Sequence, residues 1–141
     1  MSGIATIHAD LRAAFRAKMT DTAGLPTLIA WEGRVFSPGI GVPFMRESFR
    51  PIYSEPRAVG KGGTIQHRMT GNINLFYPAS KGTVDIEQAA GLLLAAFAPG
   101  TSLVYGGSSG VVLKAERAPL MQEPDFIGCP ITITIQAYTA N

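Results

Sequence analysis

The stretch that decides the fold is CPITITIQAYT, residues 129–139 near the end of the chain. Apolar and polar side chains alternate strictly along it. The apolar positions are Ile131, Ile133, Ile135 and Ala137, and the polar positions are Thr132, Thr134 and Gln136. A period of two is that of a β-strand with one face in the core and one outside it. Residues 129–139 therefore predict a half-buried strand.

A second long strand is predicted at residues 65–77, where the same alternation returns. One face carries Met69, Gly71, Ile73, Leu75 and Tyr77, and the other carries Arg68, Thr70, Asn72 and Asn74. Shorter extended segments are expected at residues 28–31, 44–53, 102–105 and 111–115. Pro51 indicates a sheet edge or a bulge, because proline cannot donate to a strand ladder.

Two helices are predicted from apolar positions spaced three and four residues apart. The first has a stripe of Ile4, Ile7, Leu11 and Phe15 and is stopped by Gly24 and Pro26. The second has a stripe of Ile86, Ala90, Leu93 and Phe97, begins at an N-cap Thr83 and ends before Pro99. Residues 54–64 are polar and rich in glycine, which predicts a mobile connection.

These elements predict an α+β fold, in which a mostly antiparallel sheet of five to six strands carries two helices packed on one face. With 141 residues and 46% hydrophobic residues, the chain is expected to form a single domain over residues 1–141. Only 16% of residues are charged, which favours surfaces buried in an assembly. The start of the chain does not resemble a signal peptide and no stretch is long enough to span a membrane, so we expect a cytoplasmic protein or a particle assembled there.

Motifs of enzyme chemistry are incomplete. Residues 106–110 read GGSSG, which fits the G-x-S-x-G nucleophile pattern, but predicted strands flank it and both histidines precede Ser108. The pattern therefore predicts a hairpin turn. The glycines around Lys61 lack the remaining residues of a phosphate-binding loop. We expect no catalytic residues and no enzymatic activity.

The histidines and the cysteine lack the neighbouring residues that a metal site or a reactive thiol needs. His8 and His67 have no third ligand nearby in the sequence, so we expect structural histidines and no metal site. Cys129 is the single cysteine, which excludes an internal disulfide, and it is expected to be an inert core thiol. The sequence predicts no cofactor.

Positive charge is concentrated between residues 34 and 81. This segment contains seven basic and two acidic residues and therefore has a net charge of +5, whereas the whole chain carries only +2. This asymmetry predicts a basic face on the two middle strands and their connection. The candidate partner-binding residues are Arg46, Arg50, Arg57, Lys61 and Arg68. An ordinary solvated surface is the alternative explanation.

The order of these features resembles the phage tail-terminator family of long, flexible-tailed phages, related to the minor tail protein U type and also present in gene transfer agents. The resemblance rests on the segments IAWEGRVFSP, GNINLFYP and AAFAPG and on the last strand. The positions that carry it are Trp31, Phe36, Pro38, Gly71, Pro78, Phe97 and Gly100.

The resemblance implies a structural role without metal, nucleotide or organic cofactor. Family members form a homo-oligomeric ring, commonly a hexamer, that caps the tail tube and stops its polymerisation. The ring then offers a surface to head-completion proteins, and DNA passes through its opening. The resemblance therefore implies a virion or phage-like particle protein at the head–tail junction, with the major tail tube protein as a partner and no contact with a membrane.

Two other functions remain open at this point. A head–tail connector or another tail-completion protein could share this size and fold. A small nucleic-acid-binding module would use the basic strand face, although Phe44, Phe49, Tyr53 and Phe76 do not have the spacing of a known single-strand platform.

Overall fold

The computed structural model describes residues 3–39, 41–58 and 60–140. The helices are α1 Ile7–Asp21 and α2 Val84–Ala96, with a short 3-10 helix at Ala79–Lys81. The strands are β1 Ile29–Ala30, β2 Phe44–Pro56, β3 Thr64–Pro78, β4 Ser102–Tyr105, β5 Ser108–Arg117, β6 Met121–Gln122 and β7 Phe126–Ala140. Within these residues, no helix is long and apolar enough to cross a membrane.

One curled sheet contains all seven strands of the described residues, in the order β1-β2-β3-β7-β5-β4, with β6 paired to β7. The α+β class is confirmed, but the sheet is mixed, because β1 pairs in parallel with β2. The predicted five to six strands omitted β6, which has two residues and is too short to show a period. The parallel pair arises because the chain between β1 and β2 returns to the end where β1 started.

The core lies between the helices and one face of the sheet. The alternation predicted for β3 and β7 is confirmed, since Ile73 pairs with Ile131 and Met69 with Ile135, and all four side chains are fully buried. The rings of Phe15 in α1 and of Phe97, the C-cap residue of α2, lie 5.3 Å apart, so both helices cover the same face. We call the opposite side of the sheet the helix-free face.

Details of the helices differ from the prediction. Helix α1 begins at Ile7, and Ile4 lies in the preceding turn, where it is exposed. Thr83 occupies the N-cap of α2, but its side chain makes no capping hydrogen bond. Helix α2 ends at Ala96, before Pro99, as predicted.

Strand β2 extends further than the sequence suggested. Its pairing with β3 continues through Ser54–His67 and Pro56–Ile65, with a bulge between Pro51 and Tyr53. The expected mobile connection over residues 54–64 is therefore wrong at both ends, where cross-strand hydrogen bonds replace loop structure. We call residues 51–64 the hairpin end. The bulge confirms the prediction made from Pro51.

Candidate interaction surface

The five candidate basic residues fall into two groups. Arg46, Arg50 and Arg68 lie on the helix-free face, where Arg46 pairs with Asn74 and Arg50 with Thr70. Arg57 and Lys61 lie in the turn of the hairpin end, and both are exposed. The structure therefore brings three of the candidates onto one face and places the other two at one end of the molecule.

A hydrogen-bonded network holds Arg68 in place on the helix-free face. Its Nη2 donates to Gln136 Oε1 at 2.8 Å, and Gln66 Nε2 donates to the same oxygen at 2.7 Å. Gln136 Nε2 donates in turn to the hydroxyl oxygen of Tyr138 at 2.9 Å. The guanidinium also lies over the ring of Tyr53. Because arginine can only donate, it sets the orientation of the amides around it.

The partners of Arg68 were not anticipated from the sequence. Gln66, Gln136 and Tyr138 come from two strands that are distant along the chain, and only their pairing brings them together. Alternation identified Gln136 as a polar-face residue. It did not identify the residue that Gln136 contacts.

One acidic residue of the basic segment, Glu47, does not lie on the helix-free face and does not neutralise the positive charge there. Glu47 lies on the helix-covered side and is fully buried. Arg16 of α1 donates to its carboxylate at 2.9 Å, and the backbone N–H of Glu32 donates to the same oxygen at 3.1 Å. Its charge is compensated there by α1.

The two histidines lie together beneath the hairpin end. Their rings meet edge to face with centroids 5.5 Å apart. His67 is fully buried, with Nδ1 2.7 Å from the Ser54 hydroxyl and Nε2 2.8 Å from the Thr139 hydroxyl. Burial lowers the pKa of His67, and His8 lowers it further. The expected structural role is confirmed for His67, which joins β2, β3 and β7.

The GGSSG motif forms a hairpin, but its turn is shorter than predicted, because residues 108–110 already belong to β5. Gly106 and Gly107, both with positive φ, form the two-residue turn between β4 and β5, and Ser108 is buried. Its hydroxyl donates to Asp10 at 2.6 Å, a partner that the sequence did not reveal. Burial raises the pKa of the Cys129 thiol, in line with an inert core residue. Among the described residues, no group of three or more potential ligands could hold a metal ion.

Solved structures share this architecture of a curled sheet under two helices. One solved protein chain superposes with a TM-score of 0.65 at 20% identity, covering 92% of this chain and 95% of its own length. A chain of the virion of a native gene transfer agent particle superposes with a TM-score of 0.55 at 18% identity, covering 94% of both chains. No curated protein matches the sequence.

The class is thus an α+β protein whose fold is shared by a chain of that particle. The family profile for phage tail terminator proteins matches residues 6–134, and this chain belongs to that family. It is a structural protein of a phage-like tail, located in a virion or particle, where it assembles with other particle proteins.

Proposed function

We propose that this chain, as one domain over residues 1–141, forms a hexameric ring that caps the completed tail tube. The ring stops tube polymerisation and offers its other side to the head-completion protein at the head–tail junction. It is assembled in the host cytoplasm, and DNA passes through its opening. The observation that carries this proposal is the family match over residues 6–134. The family is structural, and we expect the protein to have no catalytic activity.

The two basic groups fit two surfaces of such a ring. We propose that Arg57 and Lys61, exposed in the turn of the hairpin end, contact the tube. Arg46, Arg50 and Arg68 lie on the helix-free face and meet the tube or line the opening. The tube is the better partner for exposed cations, because a strongly cationic opening would retain DNA phosphates.

Tube length tests the capping role directly. Purified tail tube protein is polymerised with and without this chain, and the length distribution is measured by electron microscopy. We expect added protein to appear as a ring at one tube end and to prevent further growth. A protein that binds heads while leaving tube growth unchanged would instead be a head–tail connector.

Charge reversal tests the residues of the hairpin turn. We expect Arg57→Glu with Lys61→Glu to fold and form rings normally, because both side chains are exposed and lie beyond the last strand pair, Pro56–Ile65. Without this electrostatic attraction, the protein should associate with the tube more slowly, and the association rate should depend less on salt concentration. The expected product is overlong tails or tails that do not join heads.

A matched control places the reversal elsewhere on the surface. Lys81 is also exposed, in the short 3-10 helix that follows the end of β3 opposite the hairpin end, so Lys81→Glu should leave tail length unchanged. Particles of normal length and normal infectivity or transfer from the double variant would show that these charges are merely solvated. DNA binding that falls steeply with salt and is lost in Arg46→Glu with Arg50→Glu would favour a nucleic-acid contact.

A further inference from the structure

The sheet has two edges. Along the edge formed by β1 and β2, β1 and side chains occupy most of the outward backbone groups of β2. On the outer side of β2, β1 pairs with Met45 and Arg46. Beyond β1, the Phe49 N–H donates to the Glu32 carboxylate at 3.1 Å, and the Phe49 carbonyl accepts from Arg12 at 2.6 Å. The next outward position is Pro51, which has no N–H to offer. Such features protect sheet edges from pairing with other chains.

The same edge opens again after Pro51. The Arg57 N–H donates to the Thr64 carbonyl at 2.7 Å, so the backbone groups of Arg57 point toward β3. Residues of a strand alternate in this direction, and the backbone groups of Ser54, three residues earlier, therefore point away from β3. Ile52 and Tyr53 are 53% and 37% exposed there. We call residues 52–54 the open segment of β2.

Strand β4 forms the opposite edge of the sheet. The Val112 N–H donates to the Thr101 carbonyl at 2.9 Å, so the Thr101 carbonyl points toward β5. Backbone groups alternate in direction along a strand, and those of Ser102 and Val104 therefore point outward, away from β5. Val104 and Tyr105 are 67% and 51% exposed. The strand contains neither a charged residue nor a proline that would discourage pairing.

Continuous rows of paired residues connect the two open edges across the sheet. One continuous row of paired residues runs Tyr53, Arg68, Gln136, Val111 and Ser102, and the adjacent row runs Ser54, His67, Ala137, Gly110 and Leu103. Four antiparallel steps separate β2 from β4, so the two strands run in the same sense within the sheet. β4 of one copy can therefore continue the sheet of another copy as a parallel neighbour of its open segment.

We infer that neighbouring copies of this chain join by strand addition, with β4 of one copy pairing in parallel with residues 52–54 of the next. A closed ring needs two different patches on each subunit that fit each other, and the two open edges are such a pair of different patches. The pairing covers Ile52, Val104 and Tyr105 and places β4 in line with β1 along β2. This inference rests on the proposed ring and supplies its contact between subunits.

A backbone substitution tests the pairing. In Val104→Pro, the proline removes an N–H that points out of the sheet, so the subunit should keep its circular dichroism spectrum and melting temperature. We expect the concentration needed for half-assembly to rise by about tenfold or more, measured by light scattering and electron microscopy. Val104→Thr keeps the N–H and should assemble as the unaltered chain does.

A disulfide tests the register. Tyr53→Cys with Ser102→Cys, in a chain with Cys129→Ala, should give intermolecular disulfides under mild oxidation, seen as a ladder up to the ring size. Tyr53→Cys with Val84→Cys is the control, since Val84 is 65% exposed but lies on α2, away from both edges. It should give no ladder.

The outcomes separate this inference from the function on which it rests. The strand pairing is wrong if the chain with Tyr53→Cys and Ser102→Cys forms rings but no intermolecular disulfide. It is also wrong if Val104→Pro reaches half-assembly at the same protein concentration as the unaltered chain. Either result leaves the capping proposal intact. Disulfide products that end at dimers overturn the strand pairing as well, since they indicate a two-fold pair. If the unaltered chain forms no ring, either alone or on tubes, the capping proposal fails and the pairing with it.

Discussion

The space above Gly71 is occupied by the ring of Phe15. A Cβ added at Gly71 would lie 2.5 Å from two carbon atoms of that ring. Phe15 is itself fully buried and packs against the rings of Phe49 and Phe97 at 5.6 Å and 5.3 Å. Glycine at this position therefore allows α1 to approach the middle of the sheet.

Gly71→Ala should lower the free energy of unfolding by about 1–3 kcal/mol, because Phe15 is held between two other rings and cannot move aside freely. Gly91→Ala is the matched control: it lies within α2, and an added Cβ has no neighbour within 4 Å. That change should stabilise the protein by about 0.5–1 kcal/mol through helix propensity. Urea unfolding of both variants checks the pair, and equal effects would contradict the packing described for Phe15.

Among the elements, β7 decides the sheet, because β3, β5 and β6 all pair with it. Its two faces differ in what covers them. Ile133 is fully buried under the helices, whereas Thr134 lies on the helix-free face and is still only 9% exposed. The outward direction predicted for Thr134 is correct, but its neighbours cover it.

Ile133→Ala should cost about 2–5 kcal/mol, because it leaves a cavity in the core beneath the helices. Thr134→Ala should cost much less, since Thr134 lies on the opposite face of β7, away from the core beneath the helices. Denaturant unfolding of the two variants measures both. Small and equal losses would show that the register of β7 is wrong.

At the scale of the whole molecule, the buried His67 links stability to pH. Its pKa in the folded state is lowered from 6.5, first by burial and then by His8. The unfolded chain therefore binds a proton at His67 more readily than the folded chain does.

The free energy of unfolding should accordingly be highest above pH 6.5 and should fall as the pH is lowered from there towards the folded-state pKa. Between pH 7 and pH 5 the carboxylates of Glu32 and Glu87 remain charged, because their pKa values are lowered by Arg12 and Arg117. Denaturant unfolding over this range measures the slope. His67→Gln should flatten it, and an unchanged slope would assign it to another group.

The sequence by itself determined the inner and outer faces of β3 and β7, the core stripe of α2, the stripe of Ile7, Leu11 and Phe15 in α1, and the hairpin at Gly106 and Gly107. These features depend on local periodicity and on glycine, which act over a few residues. The same periodicity could not reveal β6, which is only two residues long, or the parallel direction of β1.

Only the tertiary structure decided what the charged and polar residues of the strands do. Glu47 has the position of a core residue in β2, and it is compatible with burial because α1 supplies Arg16 from a distant part of the chain. Arg68 meets Gln136 for a similar reason, through the pairing of β3 with β7. Pairing between distant segments is set by the packing of the whole sheet, and no local pattern specifies which side chains it brings into contact.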